Sequence, residues 1–494
     1  MVYLLREEDE KVFFRQDTIE NIEENRMVFS SFAFIIYFLP LFLFFYFFVP
    51  SFCENAVILI GSLIFYYYGV KDNPEYLLLM ILSVVVNYVV ARMMAQSRQK
   101  GVRKGWLITG LCYNFGCLFI FKYLDFLLEN FNLVSRQLGK EMQFELTDLV
   151  LPIGISFYTF QISSYLIDVY RKKVRVETSL LNLGTYLCMF PQLIAGPIVT
   201  YSQVQKQLAN REATWSNIEE GMREFTLGLA SKVLLANRVG GLWNQVVTIG
   251  FESISTPLAW LGIVAYSFQI YFDFYGYSLM AKGLGRIMGF TFPDNFRQPY
   301  MSKTMSEFWR RWHITLGSWF REYVYIPVGG NSKHTYRNLL IVWLLTGLWH
   351  GASWNFLLWG LICFVLIALE KAGLGKIMER FPLLGHGYML VVIPLFWLVF
   401  AVTDLGQLGL YFTRLFPFLE DKSQAVFAGD FIKYIRIYAL PLFASLLFCI
   451  PFPGKLYRKT KATFLMTLFL VILFWLCMYN LYQGLDNPFL YYQF

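Results

Sequence analysis

The chain has 494 residues, of which 57% are hydrophobic, 19% aromatic and only 15% charged, with a mean hydropathy of +0.48. Soluble domains carry about 25% charged residues, so a chain this apolar cannot cover a water-facing surface and reads as an all-α polytopic membrane protein. Its 42 Lys and Arg against 34 Asp and Glu give a net charge of +8. These bases lie in short stretches between apolar runs, which marks topology and argues against nucleic-acid binding.

Residues 1–26 differ from the rest, with 8 acids against 4 bases before an abrupt apolar start at Met27. They read either as a polar N-terminal extension or as sequence upstream of the true start, and the second reading is favoured. The run after Met27 has no basic leader and no small-residue cleavage site, so it is expected to be a retained span. Residues 27–480 read as a single transmembrane domain, and residues 481–494 as a tail without Lys or Arg. Runs of span length include Val28 to Val49, Leu77 to Ala91, Tyr388 to Val402 and Ala462 to Tyr479.

Arg92, Arg98, Lys100, Arg103 and Lys104 form an acid-free loop expected on the cytoplasmic side. Spans near 28–49, 56–70 and 75–91 then put residue 27 outside, and a span near 105–126 exits to a loop with Glu129, Glu141, Glu145 and Asp148. The chain re-enters at Arg171, Lys172, Lys173 and Arg175. Lys455, Arg458, Lys459 and Lys461 place the last span's start inside and the C-terminal tail outside. Pro and Gly break the apolar runs at Leu151-Pro-Ile-Gly154 and between Phe190 and Pro197, which suggests a re-entrant element or cavity, because irregular backbone at membrane depth needs protein or water cover. The polar stretch 282–337 is expected at the cytoplasmic face as short, partly in-plane helices.

Seven cysteines, five of them (Cys112, Cys117, Cys363, Cys449 and Cys477) in apolar runs, imply no disulfide framework. No phosphate-binding loop, zinc-protease or serine-hydrolase motif is present and no Cys pair has zinc spacing, so no metal is expected. Of four histidines, His334 and His386 fall in polar connections. His350 lies in Leu345-Thr-Gly-Leu-Trp-His-Gly-Ala-Ser-Trp354, within an apolar stretch, where an ionisable group is a functional candidate. Gly347 and Gly351 would let a substrate approach, and the imidazole can take a hydroxyl proton near neutral pH. The plainer alternative is a structural histidine bonded to a carbonyl. His313 lies in Glu307-Phe-Trp-Arg-Arg-Trp-His313, continuing to Trp319 and Arg321. Composition favours a headgroup-level anchor helix there. On this topology His313 is nearer the cytoplasm and His350 nearer the outside, so the pair would mark two ends of a path across the membrane.

The blocks Tyr271-Phe-Asp-Phe-Tyr-Gly-Tyr277, Pro293-Asp-Asn-Phe-Arg-Gln-Pro-Tyr300, Glu307 to His313, Trp319 to Asn331 and Leu348-Trp-His-Gly351 resemble, in order and density, the membrane-bound O-acyltransferase family. Leu151 to Tyr158, Phe190 to Pro197 and the Met27-Val-Phe-Ser-Ser start fit the same pattern. The resemblance implies a ring of about 11–12 transmembrane helices with short in-plane or re-entrant helices around a central pore. It also implies His350 as catalytic base and His313 as second motif histidine, with Arg310, Arg311, Trp309, Asn295 and Asp273 as substrate-binding candidates. Leu279 stands where the branch often has Asp, which puts a role for that carboxylate in doubt.

Tyr325-Ile-Pro-Val-Gly-Gly-Asn331 is similar to the alginate O-acetylase branch, which implies acetyl transfer from a cytoplasmic thioester, acetyl-CoA or an acyl carrier protein, toward an extracellular or envelope polysaccharide, with no bound cofactor. The location implied is the bacterial cytoplasmic membrane. An extracytoplasmic esterase-like partner is implied for final delivery, since the chain itself has no hydrolase-like serine motif. The last residues, Phe489-Leu-Tyr-Tyr-Gln-Phe494, resemble the C-terminal motif of a small partner in teichoic acid D-alanylation, making Tyr491 an acyl-relay candidate. A phenol has a pKa near about 10, so its ester stays activated. An interfacial aromatic belt is the alternative. D-alanyl or lipid acyl transfer, a transporter and a pure scaffold remain as rival readings.

Overall fold

Apolar runs of span length fold here as helices whose outward faces stay apolar and whose inward faces carry the polar groups. The structure, a computed structural model, describes residues 27–140, 142–194, 196–419, 427, 429–484 and 490. Residues 1–26 and most of the 481–494 tail, Tyr491 included, lie outside the described residues. Among the described residues the regular structure is helical, without strands. Seven helices among the described residues are long and apolar enough to cross a membrane: Ser51–Gly69, Glu75–Gln96, Lys100–Lys122, Trp354–Arg380, Pro382–Ala401, Asp430–Cys449 and Phe464–Tyr482, with Phe34–Phe48 a shorter apolar helix. The architecture is all-α and polytopic. The span expected near 105–126 instead ends at Lys122, and an amphipathic helix, Leu124–Gln137, follows.

The Glu75–Gln96 helix illustrates the arrangement. Leu78, Leu82, Val85 and Val89 are exposed, as suits a lipid-facing stripe, while Met80, Val84, Asn87 and Ala91 are buried. Asn87 and the buried Asn114 of Lys100–Lys122 exchange amide hydrogen bonds of 2.8 and 2.9 Å. Such pairs join helices where water cannot compete. Ile155–Tyr170 goes further: 14 of its 16 residues are buried, so it has no lipid face and lies inside the assembly. It follows the interruption at Gly154, whose φ of +74° and closeness to the Leu193 carbonyl suit only glycine. The second interruption follows the nine-residue helix Leu180–Cys188 and opens with one turn, Phe190–Leu193, which is buried throughout.

The central element is Thr256–Ile287, 32 residues long, or about 48 Å at the α-helical rise. Ser255 caps it by accepting from Leu258 N–H, and Pro257 sits in its first turn, where no helical N–H is needed. It lies against Trp215–Ala230 along a glycine seam. A Cβ on Gly228 would stand 2.6 Å from the Gly276 carbonyl oxygen, and one on Gly283 would stand 2.5 Å from that of Gly221. The contacts are reciprocal, so both backbones approach as closely as small residues permit. A π-helical turn, Ser231–Ala236, continues the first helix past this seam.

Within the stretch 282–337 lie short helices, Met305–Arg311 and Ile314–Phe320 followed by a π-helical turn, Arg321–Tyr325, while its two ends belong to the longer helices Thr256–Ile287 and Thr335–His350. Gly228→Val is expected to separate the central helices, with overpacking costing about 1–3 kcal/mol or more. Fluorescence-detected size exclusion of the detergent-solubilised variant should show loss of the monodisperse peak. A wild-type peak with unchanged thermal stability would contradict the seam's importance.

Candidate active site

His313 is placed by a break in the chain. Thr304 caps Met305–Arg311 by accepting from Glu307 N–H at 3.0 Å. That helix ends at Trp312, and His313 adopts the left-handed conformation, φ 43°, before Ile314–Phe320 begins. The residue is 2% exposed. Trp312 and Trp319 are also buried, with Trp319 stacked on Phe160 at 3.8 Å and donating its indole N–H to the Phe160 carbonyl. The headgroup-anchor reading of this segment is therefore corrected: the reversal at His313 breaks the single amphipathic helix that the reading assumed, and the tryptophans point inward.

Asn295 organises the turn. Its backbone carbonyl accepts from Ile314 N–H at 2.9 Å, and its Oδ1 accepts from Thr315 N–H at 3.2 Å and Thr315 Oγ1 at 2.9 Å. Its Nδ2 donates to Ser278 Oγ at 3.0 Å. The backbone N–H of Thr315 identifies Oδ1 as the acceptor, so His313 Nδ1, 3.2 Å away, must carry the hydrogen. The Nε2 of the neutral ring is then a lone-pair acceptor. His313 in this tautomer suits receiving a proton or hydrogen bond and not donating one to a developing oxyanion. Nearby, partial burial pushes the Asp294 carboxyl up, but Lys282, at 2.7 Å, with Arg297 and Arg286 outweighs it and holds the group below the usual carboxylate range.

His350 is the last residue of Thr335–His350, and Gly351 continues in extended backbone. Its ring lies among aromatic neighbours: Trp349 at 4.9 Å between centroids, Trp359 at 5.0 Å, Phe400 at 5.1 Å and Phe356 at 6.5 Å. Nε2 is buried and has no hydrogen-bond partner among the described residues. The carbonyls that end this helix are held from a distance. Lys122 Nζ donates to those of Trp349 and His350 at 2.6 and 3.1 Å, and Tyr123 Oη to that of Leu348 at 3.0 Å. The flanking glycines serve another purpose than the sequence suggested. A Cβ on Gly347 would stand 2.2 Å from the Phe356 carbonyl oxygen, and one on Gly351 would stand 2.1 Å from the Phe356 ring. The space is filled by Trp354–Leu369, not left for a substrate.

Both histidines contact one indole. The His313 ring lies 6.1 Å from Trp349, which also neighbours His350 at 4.9 Å and packs on Phe157 and Phe160. The expectation of two histidines at opposite ends of a transmembrane path is thus corrected to two histidines flanking Trp349. His334 is exposed, and His386 is half-buried within Pro382–Ala401 and not in a connection.

The other candidates separate. Trp309 donates its indole N–H to Cys363 Sγ at 2.9 Å and packs on Trp359, one ring removed from His350. Arg311 is committed to Glu307 at 2.7 Å, and Arg310 is exposed. Asp273 is 1% exposed and pairs at 2.6 Å with Lys232, itself 1% exposed, from the π-helical turn. The other Asp273 oxygen accepts the backbone N–H of Leu490 at 3.1 Å. Leu490 is 4% exposed, so the residue preceding Tyr491 is inside the protein. Phe274, next to Asp273, lies 6.5 Å from the His313 ring. Sequence reading passed over Lys122, Tyr123 and Lys232. The lysine positions were legible only as charges within or beside apolar runs, a signal shared with topology-setting residues.

Asn295→Ala removes an acceptor shared by three donors, two of them from buried Thr315. At about 1–3 kcal/mol for each group left unsatisfied, it should lower the thermal midpoint in detergent by several degrees and reduce turnover. Asn295→Asp, which retains the acceptor, should lose less. Equal stability of Asn295→Ala and wild type would exclude the hub role.

Residues 122–413 match the membrane-bound O-acyltransferase family. The chain is 37% identical over 413 residues to a protein of Pseudomonas putida named probable alginate O-acetylase, an alignment covering 82% of this chain and 84% of the relative. It is 32% identical to the peptidoglycan O-acetyltransferase of Helicobacter pylori, covering 95% of this chain and 98% of that one. Similarity to the teichoic acid D-alanyltransferase of Streptococcus thermophilus is 28% and spans 45% and 58% of the two chains.

Proposed function

The chain belongs to the membrane-bound O-acyltransferase family and is an O-acyltransferase of the membrane, and from this premise we propose that it moves an acetyl group from a cytoplasmic thioester to the envelope side for O-acetylation of a polysaccharide. The relatives named for alginate and peptidoglycan acetylation, matched over most of their length, support the acetyl group and the carbohydrate acceptor. The donor in this reading is acetyl-CoA or an acyl carrier protein, and a separate extracytoplasmic partner completes delivery to the polymer.

The observation that carries the mechanism is the buried, unpartnered Nε2 of His350. An imidazole nitrogen held in an aromatic cage without an internal partner keeps its lone pair for an entering hydroxyl. His350 takes the proton of that hydroxyl as its oxygen attacks the thioester carbonyl. A C–O bond forms, the C–S bond breaks, and the proton passes from the imidazolium to the departing thiolate. Trp349 keeps His313 beside this centre, where its Nε2 can accept a hydrogen bond from the donor or the acceptor.

Tyr491 is the hydroxyl we assign to the first transfer. Support comes from its neighbour Leu490, buried and bonded to Asp273, one residue from the Phe274 ring that faces His313. A phenolate leaves far more readily than an alkoxide, given a phenol pKa of about 10. In the second step a hydroxyl of the extracytoplasmic partner attacks the aryl ester, its new C–O bond replaces the aryl one, and the proton returns to the tyrosine oxygen, leaving the partner to pass the acetyl group on to the polymer. The tail and the N-terminal side of the first span lie outside the bacterial cytoplasmic membrane in this proposal.

His350→Ala should abolish polymer acetylation in membranes while leaving a normal gel-filtration profile. Retained acetylation would eliminate His350 as the base. Tyr491→Phe should abolish transfer where Tyr492→Phe does not, and full activity of Tyr491→Phe would replace the relay with direct transfer. Asp273→Asn, which weakens the attachment of Leu490, should lower the rate by about 10-fold or more, on the scale at which misplaced reacting groups lose rate.

A further inference from the structure

We infer that Lys122 and Tyr123 act as a clamp that aims His350, by binding the three backbone carbonyls at the end of its helix. The inference rests on the reading of His350 as the base. An α-helix leaves its last carbonyls without intrahelical partners, and these are commonly closed by a glycine turn or by water. The glycine turn is not made here. Gly351 leaves in extended backbone, with φ −166°, and its N–H reaches the Gly347 carbonyl only at 3.4 Å. Instead Leu348, Trp349 and His350 each present a carbonyl to a side chain from residues 122 and 123, more than 220 positions away in sequence.

The chemistry of the donors favours a fixed geometry. An ammonium at a helix C-terminus meets the negative end of the helix dipole, and charge-assisted hydrogen bonds are shorter and stronger than neutral ones. The contact to the Trp349 carbonyl, at 2.6 Å, has the short length of such a bond. Lys122 also ends its own helix, Lys100–Lys122, where a cation near apolar surroundings needs acceptors, so each partner satisfies the other. Tyr123 adds a third bond one residue farther back along the target helix. Three bonds on successive carbonyls restrict both the slide and the rotation of the last turn.

That restriction bears on the imidazole because little else of a polar kind orients it. Nε2 has no hydrogen-bond partner among the described residues, and the ring's neighbours are aromatic faces and edges. The direction of its lone pair therefore follows the backbone, and the backbone follows the clamp. Lys122 and Tyr123 are positioning residues: they act through the peptide groups of residues 348–350.

The test compares Lys122→Met, Lys122→Arg, Tyr123→Phe and His350→Ala in the full-length protein in native membranes, with initial acetylation rates over a range of thioester donor concentrations. Lys122→Met keeps the length and apolar stem but removes the donors. Its kcat should fall about 10- to 100-fold, the scale set by misplacing a catalytic group by about 1 Å, with KM for the donor within about twofold. Lys122→Arg should restore most of the loss, which a general weakening of packing would not produce. If Lys122→Met fails to give a monodisperse peak, Tyr123→Phe carries the test, with an expected kcat loss of about 3- to 10-fold at unchanged KM, since it removes one bond of three. Wild-type kcat in the variant that carries the test, with His350→Ala inactive, would overturn the clamp while leaving the base assignment standing. Activity in His350→Ala would instead remove the base reading, and the clamp with it.

Discussion

At membrane depth a polar group without a partner costs several kcal/mol, and the fold is arranged around that constraint. Apolar side chains face outward on the spans. Inside, polar atoms are paired across long sequence separations: Asn87 with Asn114, Asp273 with Lys232 and Leu490, Asn295 with Thr315, and the end of the His350 helix with Lys122 and Tyr123. These pairings join segments that the apolar contacts alone would leave free to slide, since lipid competes with protein for apolar surface. The glycine seam between Trp215–Ala230 and Thr256–Ile287 brings the backbones close enough for the Lys232–Asp273 pair to form beside it.

His350 Nε2, like the side-chain amide of Gln161 and the indole nitrogen of Trp359, is an exception to this pairing among the described residues. It is buried and lacks a partner among the described residues, whereas His313 a short distance away is engaged by Asn295 and has its tautomer fixed by that contact. The two rings flank one indole but differ in what holds them, His313 being tied to Asn295 and His350 having no hydrogen-bond partner at Nε2 among the described residues. One site can in this way hold a base and a second acceptor without the two exchanging roles, an arrangement suited to passing an acyl group between successive oxygen nucleophiles.

Much of this was legible in the sequence. Span-length apolar runs located the lipid-facing helices, and an ionisable residue in such a run singled out His350. The reading failed where a helical wheel was assumed across a break. Trp309, Trp312 and Trp319 look like an interface face only if residues 307–321 form one helix, and the left-handed turn at His313 sends them inward. Gly347 and Gly351 signalled close approach correctly but did not say of what, because a neighbouring helix and a substrate make the same demand on Cβ. Lys122 was hidden for a related reason: a lysine at the end of an apolar run is the ordinary mark of a span boundary. Its partners are carbonyls, which every residue has, so no pattern in the sequence announces them.

The most direct measurement is tandem mass spectrometry of the C-terminal peptide from protein purified out of expressing membranes, comparing wild type with His350→Ala. An acetyl adduct on Tyr491 that is present in wild type and absent from the variant is the result expected of a His350-dependent relay. An adduct on Tyr491 of equal occupancy in both proteins, or one confined to a different residue, would contradict it.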